Sequence, residues 1–378
     1  MAVQLFQTQP DIQQFIAVLT GEKAPRRVHF AELFLDDEIM QTVIEKYIGA
    51  SWVDRPLVSP GSSGSPIQVK DNGDAWRAYI SNTISCLHQL GYDYVWTGGW
   101  HELLFQGKWR VGTDPTKAST KRYWREQSEG MIASWEDFDQ YPWPDVNRVS
   151  LEMYDFASQT LPEGMGMFAC LGTGILETVM HSVVGFEPLC HMLYKHPELV
   201  RAIFDRVGET LYALYRRLVG LPNLYGFFQG DDMGYQKGTL ISPKHLREYV
   251  LPWHKRIAAL AHQNGLLYML HSCGNIEAIM PELIDELRID AKHSFQDNIM
   301  PVWQFKAKYG SRIGVLGGID VDKLCRLSIE ELRAYVRDTL DSCMPGGRYA
   351  LGTGNSVAGY VPLENYFAML EEGTKWEK

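Results

Sequence analysis

Disulfide scaffolding, membrane spans and basic tracts are all missing from this chain. Six cysteines dispersed over 378 residues do not make a disulfide framework, which excludes the small stapled secreted folds and predicts a reducing, cytoplasmic setting. No stretch approaches the roughly 20 apolar residues of a membrane helix. No basic region followed by an apolar run opens the chain, so neither a membrane span nor a secretory signal is expected. Lys and Arg total 36 against 46 Asp and Glu, a net charge of -10, and no basic run stands out. Phosphate backbones need clustered cations, so no nucleic-acid partner is expected. Internal repeats and low-complexity tracts are absent too. The glycines of Leu171-Gly172-Thr173-Gly174 lack the Lys-Ser/Thr of a phosphate loop and the full dinucleotide fingerprint, and read as a tight strand-to-helix turn.

What is present is a globular pattern, 45% hydrophobic and 22% charged. Short apolar runs alternate with amphipathic helical stretches, the signature of parallel β/α folds. Strands are expected at Val28–Phe30, Tyr92–Trp96, Met167–Leu171, Leu224–Phe228, Leu266–Leu270, Ile289–His293, Ile313–Leu316 and Tyr349–Leu351. Helices are expected over Pro188–Leu218, Pro243–Asn264, Ile276–Leu287 and Ser328–Ser342. Gly265 is placed to stop one of them, and Ser328 with Glu331 to start another as a capping box. Residues 1–378 therefore read as one (β/α)8 TIM-barrel domain with an N-terminal extension and an aromatic-rich insertion. The insertion carries Trp76, Trp96, Trp100, Trp109, Trp124, Trp135 and Trp143. These rings either pack long loops or wall a flat, apolar ligand. Ser59–Ser65 is a surface loop or lid.

Function in such a barrel collects at the C-terminal ends of the strands. Glu32, His101 with Glu102, Asp231 with Asp232, His271 with Cys273, His293 and Asn355 all follow expected strands. In His271-Ser272-Cys273-Gly274-Asn275 an imidazole and a thiol lie two residues apart at a strand end. Gly274 permits the turn that would aim both at one centre, and N plus S is a zinc-type ligand pair. A third ligand would come from Glu32, Asp231, Asp232, His293 or Asp297. Neighbours on an extended chain point opposite ways, so one of Asp231 and Asp232 should face the strand ends. Asp231, Asp232 and Glu32 are the candidate general acids or bases. Trp100, His101, Glu102, His293 and Asn355 are the candidate substrate contacts.

Three stretches carry a family resemblance: Gly230-Asp231-Asp232-Met233-Gly234 running into Leu240-Ile241-Ser242-Pro243; Leu270-His271-Ser272-Cys273-Gly274-Asn275; and Gly317-Gly318-Ile319-Asp320 ahead of Gly352-Thr353-Gly354-Asn355. In order and spacing they resemble the uroporphyrinogen decarboxylase superfamily, nearest to its corrinoid-dependent methyltransferase branch. The resemblance runs from about Gly166 to the C-terminus. True decarboxylases of the family carry an Arg-rich segment that grips the porphyrinogen carboxylates; nothing between Pro25 and Glu38 matches it. The methyltransferase branch implies a zinc site in which a His-x-Cys pair is joined by a later Cys. His271 and Cys273 match the pair, but Thr353 stands where the later Cys would fall, so the resemblance implies a site that is either rebuilt with a carboxylate or imidazole, Asp232 or Glu32 completing it in the methyltransferase reading, or lost. The resemblance implies zinc as cofactor and methyl transfer between a small-molecule heteroatom and a cobalamin or other corrinoid. The chain lacks the Asp-x-His-x-x-Gly corrinoid-binding signature, so the corrinoid would arrive on a partner protein or free. A decarboxylase or lyase acting on a smaller carboxylated substrate, and a non-catalytic ligand-binding relative, are the alternatives.

Overall fold

The computed structural model describes residues 6, 9–58, 68–69, 73–97, 105–113, 121–125 and 128–376. Trp100, His101, Glu102 and Ser59–Ser65 lie outside the described residues. The centre of the molecule is a parallel sheet of seven strands: β1 (Tyr94–Trp96), β2 (Gly166–Ala169), β3 (Leu224–Gly230), β4 (Leu267–His271), β5 (Ala291–His293), β6 (Gly314–Leu316) and β7 (Tyr349–Ala350). They lie side by side in chain order, from β1 at one edge to β7 at the other. Between them run helices, of which the site and its frame involve α1 (Ile12–Leu19), α2 (Gly73–Gln89), α3 (Ile175–Thr178), α4 (Pro197–Leu218), α5 (Leu251–Gln263), α6 (Ile329–Cys343) and α7 (Leu363–Lys375).

The expected first strand differs from expectation. Val28–Phe30 contributes a single parallel bridge, Phe30 to Leu351, beside β7. On its other side the contact with β1 is made by a side chain: the Tyr94 hydroxyl donates to the Glu32 carbonyl at 2.9 Å and accepts from the Glu32 amide at 3.1 Å. Among the described residues no backbone ladder closes the sheet there, so the eight-stranded closed barrel is found as seven strands and a bridged segment. The sheet is nevertheless curled. Ala31, Leu33, Tyr94, Phe168, Phe228, Met269, Ala291, Leu316 and Ala350, one from each strand and two from the residues just after Phe30, form one interior cluster. Strand alternation supplies that inner row, and burying Phe228 completely stabilises the fold by about 1.5–3 kcal/mol.

Helix α1 covers the N-terminal end of this interior with Ile12, Phe15 and Leu19. Its start is capped by Asp11, which accepts from the Gln14 amide. The capping box of Ser328 and Glu331 begins α6, and Gly265 (φ +70°) follows α5, both as expected. The helix expected over Pro188–Leu218 is broken at His196, which takes φ -137° and ψ 53° because the ring of Pro197 excludes helical geometry from its predecessor. Trp76 is buried against Tyr79, whereas Trp135 is exposed; packing accounts for the first and not the second. No helix among the described residues is long and apolar enough to cross a membrane.

Candidate metal centre at the strand ends

Strands β3, β4 and β5 run in register, with His271 opposite Gly230 on one side and His293 on the other. The chain leaves β3 through Asp231, whose amide continues the ladder to the His271 carbonyl at 2.9 Å. Alternation then separates the two carboxylates. Asp231 turns away from the strand ends and is fully buried. It accepts from His254 Nε2 at 2.7 Å and from the Leu176 and Glu177 amides at 3.1 and 3.0 Å, tying β3 to α3 and α5. Asp232 turns the other way and accepts from the Cys273 amide at 2.8 Å.

The loops after β3 and β4 press together. Ser272 accepts from the Met233 amide at 3.1 Å. Gly274 has φ +77°, and a Cβ there would lie 2.2 Å from the Gly234 carbonyl carbon, so both the turn and the contact require glycine. The outcome is a trio: Asp232, His271 and Cys273 offer O, N and S atoms all within 4.8 Å of one another. His271 Nε2 is 3.3 Å from Cys273 Sγ and 3.5 Å from Asp232 Oδ1. Tetrahedral zinc with bonds of about 2.0–2.3 Å needs ligand atoms about 3.3–3.7 Å apart, so these two separations suit the ion without rearrangement. Three ligands leave one position free, as in catalytic rather than structural zinc sites.

The electrostatics suit a cation. Burial, aided by the Asp232 charge, pushes the Cys273 thiol up to about 12, so the sulfur keeps its proton until a cation displaces it. Burial works against the Asp232 charge, yet the His271 side chain and the Cys273 amide hold its carboxyl below the usual range. Two side chains approach the sulfur as donors, Asn355 Nδ2 at 3.4 Å and Ser294 Oγ at 3.7 Å. Lys292, buried and donating to the Ser294 carbonyl at 2.5 Å, is pushed down to about 8 by burial, against the opposing influence of Cys273 and Asp232.

Glu32 stands outside the trio. It accepts from the Thr353 amide at 2.7 Å and from the Thr353 hydroxyl at 2.5 Å, and burial pushes its carboxyl up to about 8. Asp297 pairs with Lys323 and the Tyr335 hydroxyl. His293 touches His271, and Asn355 touches Cys273, so both expected substrate contacts border the trio instead of facing away. Glu177 follows a strand in the sequence without a distinguishing motif. The structure brings it, half-buried, into the field of Asp232, and burial together with the Asp232 and Asp231 charges pushes it up to about 8.

The uroporphyrinogen decarboxylase (URO-D) family model matches residues 129–376. A methylated-thiol–coenzyme M methyltransferase of Methanosarcina mazei is 29% identical over 188 residues, which are 50% of this chain and 48% of that protein. The chain thus spans about half the length of that relative. Among solved structures, a methyltransferase from Methanosarcina mazei superposes with TM-score 0.64 at 17% identity, covering 95% of this chain and 97% of that one. A B12-independent methionine synthase from Shewanella superposes with TM-score 0.55 at 11% identity, covering 93% and 97%. At these identities the superpositions show the fold.

Proposed function

Since the chain belongs to the uroporphyrinogen decarboxylase family, whose members do not share one reaction, we propose from its own strand ends that it is a methyltransferase, moving a methyl group between a small-molecule heteroatom and a corrinoid with zinc held by Asp232, His271 and Cys273. The observation that carries this reading is the trio itself, an O, N, S donor set gathered within 4.8 Å. Bound zinc would act as a Lewis acid on a sulfur or oxygen of the methyl donor or acceptor. The remaining work falls to the chain. Asn355 and Ser294 donate toward the Cys273 sulfur and disperse its charge. Asp232 is oriented by the Cys273 amide. Glu177, raised to about 8 by burial and its acidic neighbours, carries a proton at neutral pH and can supply one to a departing heteroatom. The corrinoid would come on a partner protein or free.

Porphyrinogen decarboxylation is disfavoured by the placement of Arg27. Arg27 lies before the bridged segment and pairs with Asp93 ahead of β1 at 2.5 Å, at the opposite end of the strands from the trio. Each porphyrinogen carboxylate left unpaired in a cleft would cost several kcal/mol. The test is incubation of the zinc-loaded protein with methylcobalamin, or with cob(I)alamin and a panel of methylated thiols, methoxylated aromatics and methylamines, following the corrinoid spectrum. Demethylation or methylation of the corrinoid with at least one compound is expected. Coproporphyrinogen formed from uroporphyrinogen at an enzymatic rate, or no corrinoid change across the panel, overturns the proposal.

A further inference from the structure

On the outer face of the sheet lies a cation that the trio does not use. β5 places Ala291 in the interior row, so alternation turns Lys292 to the opposite face, toward the helix Val302–Tyr309. Lys292 is 4% exposed. Its Nζ donates to the Ser294 carbonyl at 2.5 Å and stands 4.4 Å from the centre of the Phe295 ring and 5.5 Å from that of Phe305. An ammonium offers three N–H donors, and one is used. Among the described residues no carboxylate forms an ion pair with it; Asp232 acts on it without contact. A buried cation held by one carbonyl and two ring faces is short of counter-charge. Space for an anion lies beside it. Ser294, Phe295 and Phe305, the three groups around Nζ, all line a pocket between the loops that follow β4 and β5. Its cavity volume is about 30 Å³, more than the roughly 10–15 Å³ one water needs and enough for a carboxylate-sized group. Met280, Ile299 and Met300 supply apolar walls. The one acid in the lining, Glu277, is already bound by Lys308 and the Tyr309 hydroxyl.

We propose that this pocket binds a small organic monoanion, a short-chain carboxylate whose head pairs with Lys292 and whose hydrocarbon end lies along Met280, Ile299 and Met300. The carboxylate oxygens would accept the unused N–H donors in charge-assisted hydrogen bonds, and the flexible methionine chains adapt to the hydrocarbon. One buried cation balances one negative charge. An inorganic phosphate dianion would therefore keep uncompensated charge in an apolar cleft, and a neutral amide would leave the ammonium unpaired. The pocket is separate from the trio, since Lys292 makes no hydrogen bond or ion pair with Asp232, His271 or Cys273. Ser294 borders both: its carbonyl holds Lys292, and its hydroxyl approaches the Cys273 sulfur. The inference stands on the pocket alone and holds whether or not the trio binds metal.

Isothermal titration calorimetry of the full-length protein at pH 6.5 tests it, with acetate, butanoate and 3-methylbutanoate as probes and butanamide and inorganic phosphate as controls. At least one carboxylate should bind once per chain, about tenfold or more tighter than either control. Lys292→Met fills the same space without the charge and should weaken that carboxylate about tenfold or more. Lys292→Gln, which still offers a donor to the Ser294 carbonyl, should weaken it likewise and gives the reading should the methionine variant not fold. Treatment with a chelator should leave the binding unchanged. The proposal is overturned if no carboxylate binds, if butanamide or phosphate binds as tightly, or if the folded variants bind as the wild type does. Binding that disappears with the chelator also overturns it, because the carboxylate would then sit on a metal and not on Lys292.

Discussion

Replacing Glu32 by glutamine should make stability less sensitive to pH between about 4.5 and 8. In the folded protein the carboxyl is 3% exposed, and burial raises it from 4.5 to about 8 despite the two hydrogen bonds from Thr353. An acid raised on folding binds its proton more tightly in the native state. Its stabilising contribution is complete below the unfolded value and is lost as pH rises toward the folded value. At about 1.4 kcal/mol per pH unit, that loss amounts to something on the order of 4 kcal/mol across the window. Glutamine is nearly isosteric and has no proton to lose. Glu177, raised to about 8, adds a decline of the same sign to both proteins. The buried His293, held well below the usual imidazole range, adds a rise to both as pH climbs toward the unfolded value, so the Glu32 contribution is read from the difference between the two slopes. Asp232, held low, acts only as pH falls through its folded value. Urea unfolding at pH 5, 6, 7 and 8 measures the slope for both proteins. Parallel slopes would refute the reasoning, because they would mean that Glu32 is ionised in the folded protein.

Zinc uptake near neutral pH should release about one proton per ion, because the Cys273 thiol is raised to about 12 and binds metal as thiolate; calorimetry in buffers of different ionisation enthalpy counts it. For the same reason Cys273 of the metal-free protein should be alkylated slowly by iodoacetamide at pH 7, read by peptide mapping, and zinc affinity should rise with pH. Asp231→Ala would leave His254 and the Leu176 and Glu177 amides without their acceptor in a fully buried place. The loss should be about 3–5 kcal/mol in urea unfolding, and Asp231→Asn should cost less.

The strands were legible because each is a short apolar run between turn residues, and the inner row follows from alternation alone. His271 and Cys273 were legible because a ligand pair at a strand end is a local pattern. Adjacent Asp231 and Asp232 could be separated into one facing and one buried carboxylate, but not assigned. The assignment depends on His254, which comes from a helix, and on α3. The break at Pro197 was written in the chain, since the ring constrains its neighbour. The bridged first segment was less accessible: Val28–Phe30 has strand composition, and it is the Tyr94 side chain that replaces a ladder on one side. The hydrogen bonds between Glu32 and Thr353 join residues 321 positions apart, and no local pattern announces such a contact. Glu177 belongs to the same class, raised by neighbours that only the fold supplies.

The central claim is that Asp232, His271 and Cys273 hold a zinc ion. Elemental analysis of the protein, purified without chelator, tests it directly against the double variant His271→Ala/Cys273→Ala. About one zinc per chain is expected in the wild type and none in the double variant, with the fold retained because a core of this size needs no metal staple. A wild type without metal after zinc supplementation, or a double variant that keeps its zinc, would contradict it.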